Sequence, residues 1–92
     1  MRPLSHVVPD AVLQLLRDAP LSKGKVGFAW RAAVGPAVER ATAVKLENRV
    51  LIVETSSPEW TREVKRSSAL ILARLQTYLG ADAVERIEVR RA

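Results

Sequence analysis

Residues 50–60 read VLIVETSSPEW, and this stretch decides the fold. Four successive apolar residues at positions 50–53, three of them β-branched, predict a strand that is buried on both faces. A hydroxyl of Ser56 or Ser57 can then cap a helix, and Pro58 fits the first helical position because its missing N–H has no partner there. The stretch therefore predicts a buried strand that turns sharply into a helix.

The helix that starts at Pro58 is predicted to run without interruption to Leu79, as the longest helix of the chain. Its apolar residues recur at spacings of three and four, which is typical of a helix with one buried stripe, and Gly80 can adopt the left-handed conformation that ends it. The stripe consists of Trp60, Val64, Ser67 or Ser68, Ile71, Leu75 and Leu79.

A β-hairpin is predicted before this helix. Residues 42–47 alternate between apolar and polar side chains, as a half-buried strand does, and a two-residue loop at 48–49 separates them from the central strand. Because paired residues share a face of the sheet, this loop length predicts a core face made of Val44, Leu46, Leu51 and Val53. The opposite face then carries Val50 and Ile52, two apolar residues between charged ones.

Helices precede the hairpin, and a last strand follows the long helix. We predict a helix over 9–17, a second one capped by Ser22 and ended at 35–36, one more turn over 37–41, and a strand over 85–90. A strand–helix–strand unit requires a right-handed crossover and a parallel pair, and the most apolar strand belongs in the middle. The fold class is therefore α/β (α+β), with helices covering a three-stranded mixed sheet in the order first hairpin strand, second hairpin strand, last strand.

Composition limits the functions that are open to the chain. The 92 residues make one domain, 1–92, with 1–8 as a flexible lead-in. A net charge of +5 favours nucleic-acid phosphates or an acidic protein as partner, against the alternative of a merely solvated basic surface. The absence of cysteine fits the cytoplasm, and neither a signal peptide nor an apolar run long enough for a membrane is present.

No motif predicts catalysis. The single histidine, His6, lies in the lead-in, and the chain lacks both a nucleophile elbow and a phosphate-binding loop. Glu59 and Glu63 lie one helical turn apart, but their basic neighbours make ordinary surface pairing the simpler explanation. We therefore expect no catalytic residues, no metal and no cofactor.

Two sets of residues are candidates for binding. The nucleic-acid-binding candidates are Lys23, Lys25, Arg62, Lys65 and Arg66, which together could form a phosphate-binding edge. Residues 24–27 also match the G-x-x-G with which KH domains clamp a nucleic-acid backbone, the alternative being a flexible start of the second helix. Trp30 is expected in the core, whereas Trp60 is either core or a half-exposed contact. The partner-binding candidates are Trp60, Val50 and Ile52.

Several spaced segments together resemble the bacterial DciA family. They are the tryptophan–valine–glycine segment at 28–38, the hairpin at 46–53, the strand-to-helix corner at 55–60, and the closing helix and strand at 75–80 and 84–89. The resemblance covers residues 22–90 and implies a KH-like fold. It also implies a non-enzymatic role, in which the protein binds the replicative helicase, DnaB, and assists its loading onto DNA. The family's signature corner maps onto Trp60, and Arg49 stands where family members often carry glycine.

Two hypotheses follow from these observations. The first is an adaptor for the replicative helicase. The second is a stand-alone KH-like module that contacts the backbone of DNA, single- or double-stranded, or of RNA without sequence specificity. Either role belongs in the cytoplasm, and the sequence is compatible with a monomer or a dimer.

Overall fold

The computed structural model describes residues 9–18 and 20–91, and in it helices pack on a three-stranded sheet. The elements in chain order are α1 (Asp10–Asp18), α2 (Lys23–Val34), α3 (Pro36–Arg40), β1 (Thr42–Glu47), β2 (Val50–Thr55), α4 (Pro58–Arg66), α5 (Ser68–Leu79) and β3 (Arg86–Arg91). The predicted fold class, with its mixed sheet, is confirmed. The predicted lead-in at 1–8, which includes His6, lies outside the described residues.

The sheet has the predicted order and register. β2 lies in the centre, antiparallel to β1 and parallel to β3. Glu47 lies opposite Val50 across the hairpin, so the loop has two residues. These two residues, Asn48 and Arg49, have φ angles of 51° and 68°, and positive φ at both positions defines a type I′ turn. The turn therefore fixes which side chains face the core.

Arg49 occupies a backbone conformation that glycine adopts more easily, and two hydrogen bonds hold it there. Its Nε donates to the carbonyl oxygen of Asp82 at 2.9 Å. Its own carbonyl oxygen accepts from the N–H of Glu85 at 2.6 Å. The hairpin turn is thereby fastened to the segment that leads into β3.

The predicted long helix is wrong in one respect, because the structure divides it at Ser67. This residue has φ −97° and ψ 8°, outside the helical region, and separates α4 from α5. Backbone bonds still cross the junction, from the Ser67 N–H to Glu63 at 3.2 Å and from the Ile71 N–H to Ser67 at 2.9 Å. The break falls at two adjacent serines, Ser67 and Ser68, and serine is a weaker helix former than the leucine, alanine and arginine residues around it.

The core lies between the helices and one face of the sheet, as the apolar stripes predict. Trp30 is 2% exposed, and its indole Nε1 donates to the hydroxyl of Thr42 at 2.9 Å. That hydroxyl donates in turn to the carbonyl oxygen of Val38 at 2.8 Å. The predicted cap of α2 is also confirmed, because the Ser22 hydroxyl accepts from the Lys25 N–H at 3.1 Å. Other buried core residues are Val26, Ala29, Val34, Leu51, Val53, Val64, Ile71, Leu75 and Val84.

Candidate functional site

Several hydrogen bonds hold the corner between β2 and α4, which builds the candidate site. Thr55, the last residue of β2, is 1% exposed, and its hydroxyl shares a hydrogen bond with that of Thr61 in the first turns of α4. The Thr61 hydroxyl donates to the carbonyl oxygen of Ser57 at 3.1 Å. The N–H of Ser56 donates to Ala41, just before β1, at 3.1 Å. The corner is thus tied to its own helix and to the neighbouring strand.

Trp60 extends from this corner in the first turn of α4. Its N–H donates to the Ser57 hydroxyl at 3.3 Å, which confirms the predicted serine cap. The side chain is half-buried and packs against the core, close to Val64, which is 1% exposed. Among the described residues the indole nitrogen has no hydrogen-bond partner, yet no buried polar atom lacks one, so this nitrogen faces solvent. Trp60 therefore combines a core contact with an accessible polar edge.

Arg62, Lys65 and Arg66 are exposed on α4, the same helix that carries Trp60. α4 packs against β3, and in that strand Arg91 lies opposite Thr55. Arg91 is exposed as well, so a basic group missed by the sequence analysis stands at the corner. The sequence signal for it was the Arg-Arg pair at positions 90–91. Only the parallel register shows that Arg91 lies beside the corner.

The remaining basic candidates lie elsewhere. Lys23 and Lys25 belong to the first turn of α2, which packs against β1 at one edge of the sheet, whereas α4 packs against β3 at the other edge. The five basic candidates therefore form two groups and not one edge. Residues 24–27 also lie in the first turns of α2, so the proposed clamping loop is helix in the structure.

Val50 and Ile52 lie on the face of the sheet that carries no described helix, as predicted. Ile52 is nevertheless only 5% exposed, and its register partners are Lys45 on β1 and Glu88 on β3. Long charged side chains in such positions can shield an apolar neighbour with their stems. Val50 is half-buried. It lies about 16 Å from the corner along β2, given the usual rise per residue, so these residues and Trp60 do not form one patch.

Charged side chains dominate this outer face. Glu88 accepts ion pairs from Arg86 at 3.7 Å and from Arg90 at 2.9 Å, and Lys45 pairs with Glu47 at 3.8 Å. All of these groups are well exposed, so each pair contributes little to stability. They leave the half-buried Val50 as the main apolar surface on this side.

The described residues bring together no group of three or more metal-ligating side chains, and none of their helices has the length and apolar character to cross a membrane. What the corner does offer is an aromatic ring on a rigid support, with basic side chains on the same helix. Such an arrangement is suited to contact with another macromolecule. The ring can bury apolar surface in the contact, and the basic side chains can orient an acidic partner.

Comparison with known proteins gives one match. The family model described as Dna[CI] antecedent, DciA, matches residues 3–89. No curated protein and no solved structure matches the chain at a significant level. Because the family match covers nearly the whole chain, the protein belongs to the DciA family, and this membership implies a helicase-loader type of role in DNA replication.

Proposed function

We propose that this protein is a non-enzymatic adaptor that binds the bacterial replicative helicase, DnaB, and assists its loading onto DNA when replication begins. The family match over residues 3–89 carries this proposal. The DciA family is associated with the replicative helicase and is a family of loaders or adaptors, not of enzymes. On this proposal the protein acts in the cytoplasm, beside the bacterial chromosome.

The helicase contact is proposed at the corner, with Trp60 as its anchor. A half-buried tryptophan loses little conformational entropy on binding and can bury a large area, which is why tryptophan is enriched at interface hot spots. Its rigid support at Ser57 and Thr61 favours the same role, because no loop has to be ordered when the partner binds. Val50 and Ile52 are proposed as secondary contacts, with Ile52 contributing least because it is 5% exposed.

DNA contact is proposed for the basic group on α4, which is Arg62, Lys65 and Arg66. Their charges would hold single- or double-stranded DNA by its phosphates, without sequence preference. The second candidate function, a stand-alone nucleic-acid-binding module, is supported by the same exposed residues and by the net charge of +5. An adaptor must bind the helicase when DNA is absent, whereas a stand-alone module must bind nucleic acid when the helicase is absent.

Binding to purified replicative helicase in the presence of nuclease tests the adaptor proposal directly. The immobilised protein should retain the helicase without DNA, and Trp60→Ala should weaken retention about tenfold or more, as loss of a hot-spot aromatic does. Phe28→Ala is the matched control, because Phe28 is 52% exposed on α2, away from the corner, and should leave retention unchanged. Loss of helicase binding on nuclease treatment would contradict the adaptor role.

A salt titration of DNA binding tests the second function. Each phosphate contact should contribute a slope of about −0.7 to −0.9 in log affinity against log salt. Replacing Arg62, Lys65 and Arg66 by glutamine should make this slope shallower by about 2 to 2.7, whereas replacing Lys23 and Lys25 should change it less. Undetectable DNA affinity at low salt would rule out the stand-alone module while leaving the adaptor proposal intact.

A further inference from the structure

A groove runs between the start of α2 and the edge strand β1. Its volume is about 570 Å³, within the range of roughly 300–1,000 Å³ that is usual for ligand sites. Its walls consist of Leu21, Ser22, Lys23, Val26 and Gly27 on the helix side and of Val44, Lys45, Leu46 and Glu47 on the strand side. It lies at the hairpin end of β1, whereas the corner adjoins the other end of this strand and α4 packs against β3, so the groove is separate from the site proposed for the helicase.

The strand wall of this groove has free backbone hydrogen-bonding groups. The two-residue turn makes Glu47 and Val50 a hydrogen-bonded pair, and in an antiparallel ladder every second residue then bonds to the partner strand. Val44 and Leu46 are the non-hydrogen-bonded positions of this ladder, so their N–H and C=O groups point away from β2. Because β1 is an end strand of the sheet, no described strand pairs with these groups.

The side chains of Val44 and Leu46 lie on the core face, and both are only half-buried. Leu21 on the opposite wall is 54% exposed. The groove is therefore apolar along the side of the free strand edge. A strand added to β1 would place every second side chain in this groove and the intervening ones on the outer face, next to Lys45.

Charge at the rim indicates what such a strand should carry. Lys23 and Lys45 both line the groove, and Glu47 is the only acidic residue among its lining residues. The side chain of Lys45 is 58% exposed, and its pair with Glu47 at 3.8 Å is weak enough for it to turn to a group on an added strand. An acidic residue between two apolar ones fits this surface, whereas a basic residue there would meet lysine.

Gly27 keeps the groove open. It lies in the second turn of α2, and a Cβ atom built on it meets nothing within 4 Å. Because Gly27 also lines the groove, a side chain added at this position starts from open space beside it. Gly24, one turn earlier, does not line the groove, and its Cβ would meet only the Ser22 hydroxyl at 3.9 Å.

We infer that the groove binds an extended segment of another protein, which adds to β1 as a fourth strand and presents alternating apolar and acidic residues. The added strand gains backbone hydrogen bonds from Val44 and Leu46, and its apolar side chains pack against Leu21 and Val26. This surface goes beyond the helicase contact at Trp60 and does not depend on it. It would give the protein a second, weaker attachment point.

A synthetic peptide of about seven residues that alternates valine and glutamate is the probe for this site. In amide nuclear magnetic resonance spectra of the full chain, the peptide should shift the resonances of Val44 and Leu46 and leave that of Trp60 unchanged. A peptide of the same composition with its valines grouped together should bind at least about tenfold more weakly, because it cannot alternate. A valine–lysine peptide should also bind more weakly.

Gly27→Leu and Gly24→Leu form a matched pair of variants. Both place leucine in the same helix, where it is favoured over glycine, so both should fold. Gly27→Leu should abolish the shifts at Val44 and Leu46, whereas Gly24→Leu should preserve them, and both should still bind the helicase. Equal binding of the three peptides, or equal binding by both variants, would overturn the inference. Shifts at Val44 and Leu46 that follow protein concentration without peptide would also overturn it, because the occupant would then be a second copy of the chain.

Discussion

The two tryptophans lie on helices in two regions of the molecule, and their surroundings differ. Trp30, in α2, is 2% exposed, and its indole nitrogen donates to Thr42. Trp60, in α4, packs against the same core but remains half-buried, with its indole nitrogen facing solvent. Each lies on the apolar stripe of its helix, so helical periodicity alone does not distinguish them.

The difference lies in what surrounds each helix. α2 is covered by α3, α5 and β1, so a ring in its middle is enclosed on all sides. Trp60 stands in the first turn of α4, where the chain has just left the sheet, and its ring remains half-buried. Whether a tryptophan is enclosed therefore depends on the elements around its helix, and not on the apolar stripe alone.

The largest expected effect belongs to Trp30. Trp30→Ala should lower the free energy of unfolding by about 3–5 kcal/mol, because it leaves a large cavity in a small core. Total stabilities of about 5–15 kcal/mol are usual, so much of this variant should be unfolded at 37 °C. Urea titration followed by circular dichroism measures the change. A loss below about 1 kcal/mol would mean that the enclosed ring contributes little, and the comparison would fail.

The second largest effect on stability should come from removing the hydrogen bond between Trp30 and Thr42. Thr42→Val keeps the shape of the side chain but removes the acceptor of the indole N–H, so we expect a loss of about 1–3 kcal/mol. The same titration measures it. Thr42→Ser, which keeps the hydroxyl, is the control and should recover most of the loss. If the valine and serine variants have the same free energy of unfolding, the hydrogen bond to Trp30 does not stabilise the fold.

Trp60→Ala should have a smaller effect on folding than Trp30→Ala. A half-buried ring contributes about 1–2 kcal/mol to stability, roughly half of the value for complete burial. Thermal unfolding and helicase binding should be measured on the same preparation, with the binding corrected for the folded fraction. If the corrected binding equals that of the unmodified protein, Trp60 is only a core residue and the contrast with Trp30 disappears.

The smallest effect compares the caps of the two helices. Ser57→Ala and Ser22→Ala each remove one hydroxyl that accepts a backbone N–H, and each should cost about 1 kcal/mol of stability. Only Ser57→Ala loosens the turn that holds Trp60, so only this variant should weaken helicase binding. Calorimetry and helicase binding on both variants provide the measurements. An equal loss of helicase binding in both variants would show that the corner has no special part in this contact.

The parts of the fold that depend on local rules could be predicted from the sequence. The two-residue loop fixed the hairpin register even though Arg49 is a poor turn residue, because the alternation at 42–47 admits only one apolar face. The serine cap, the parallel last strand and the buried Trp30 followed from similar local patterns. The break at Ser67 did not, because a helical stripe continues through a single non-helical residue almost unchanged.

The candidate site was harder to predict because its features depend on neighbours that are distant in sequence. Ile52 was expected on the outer face as a partner contact, but it is 5% exposed, and its neighbours on the two adjacent strands are Lys45 and Glu88. Arg91 reaches the corner only through the parallel register with Thr55. The groove beside β1 requires knowledge of which helix packs along the sheet edge. None of these relations leaves a periodic signal in the chain.

The two hydrogen bonds of Arg49 have a consequence for local unfolding. Its bonds to Asp82 and Glu85 hold the beginnings of β2 and β3 together, and the parallel pairing of these strands continues to Thr55 and Arg91 at their ends. A terminal strand that is attached at one end only frays readily. With attachments at both ends, β3 should open only together with β2, as one cooperative unit, and the basic end that carries Arg91 should keep its position during such fluctuations.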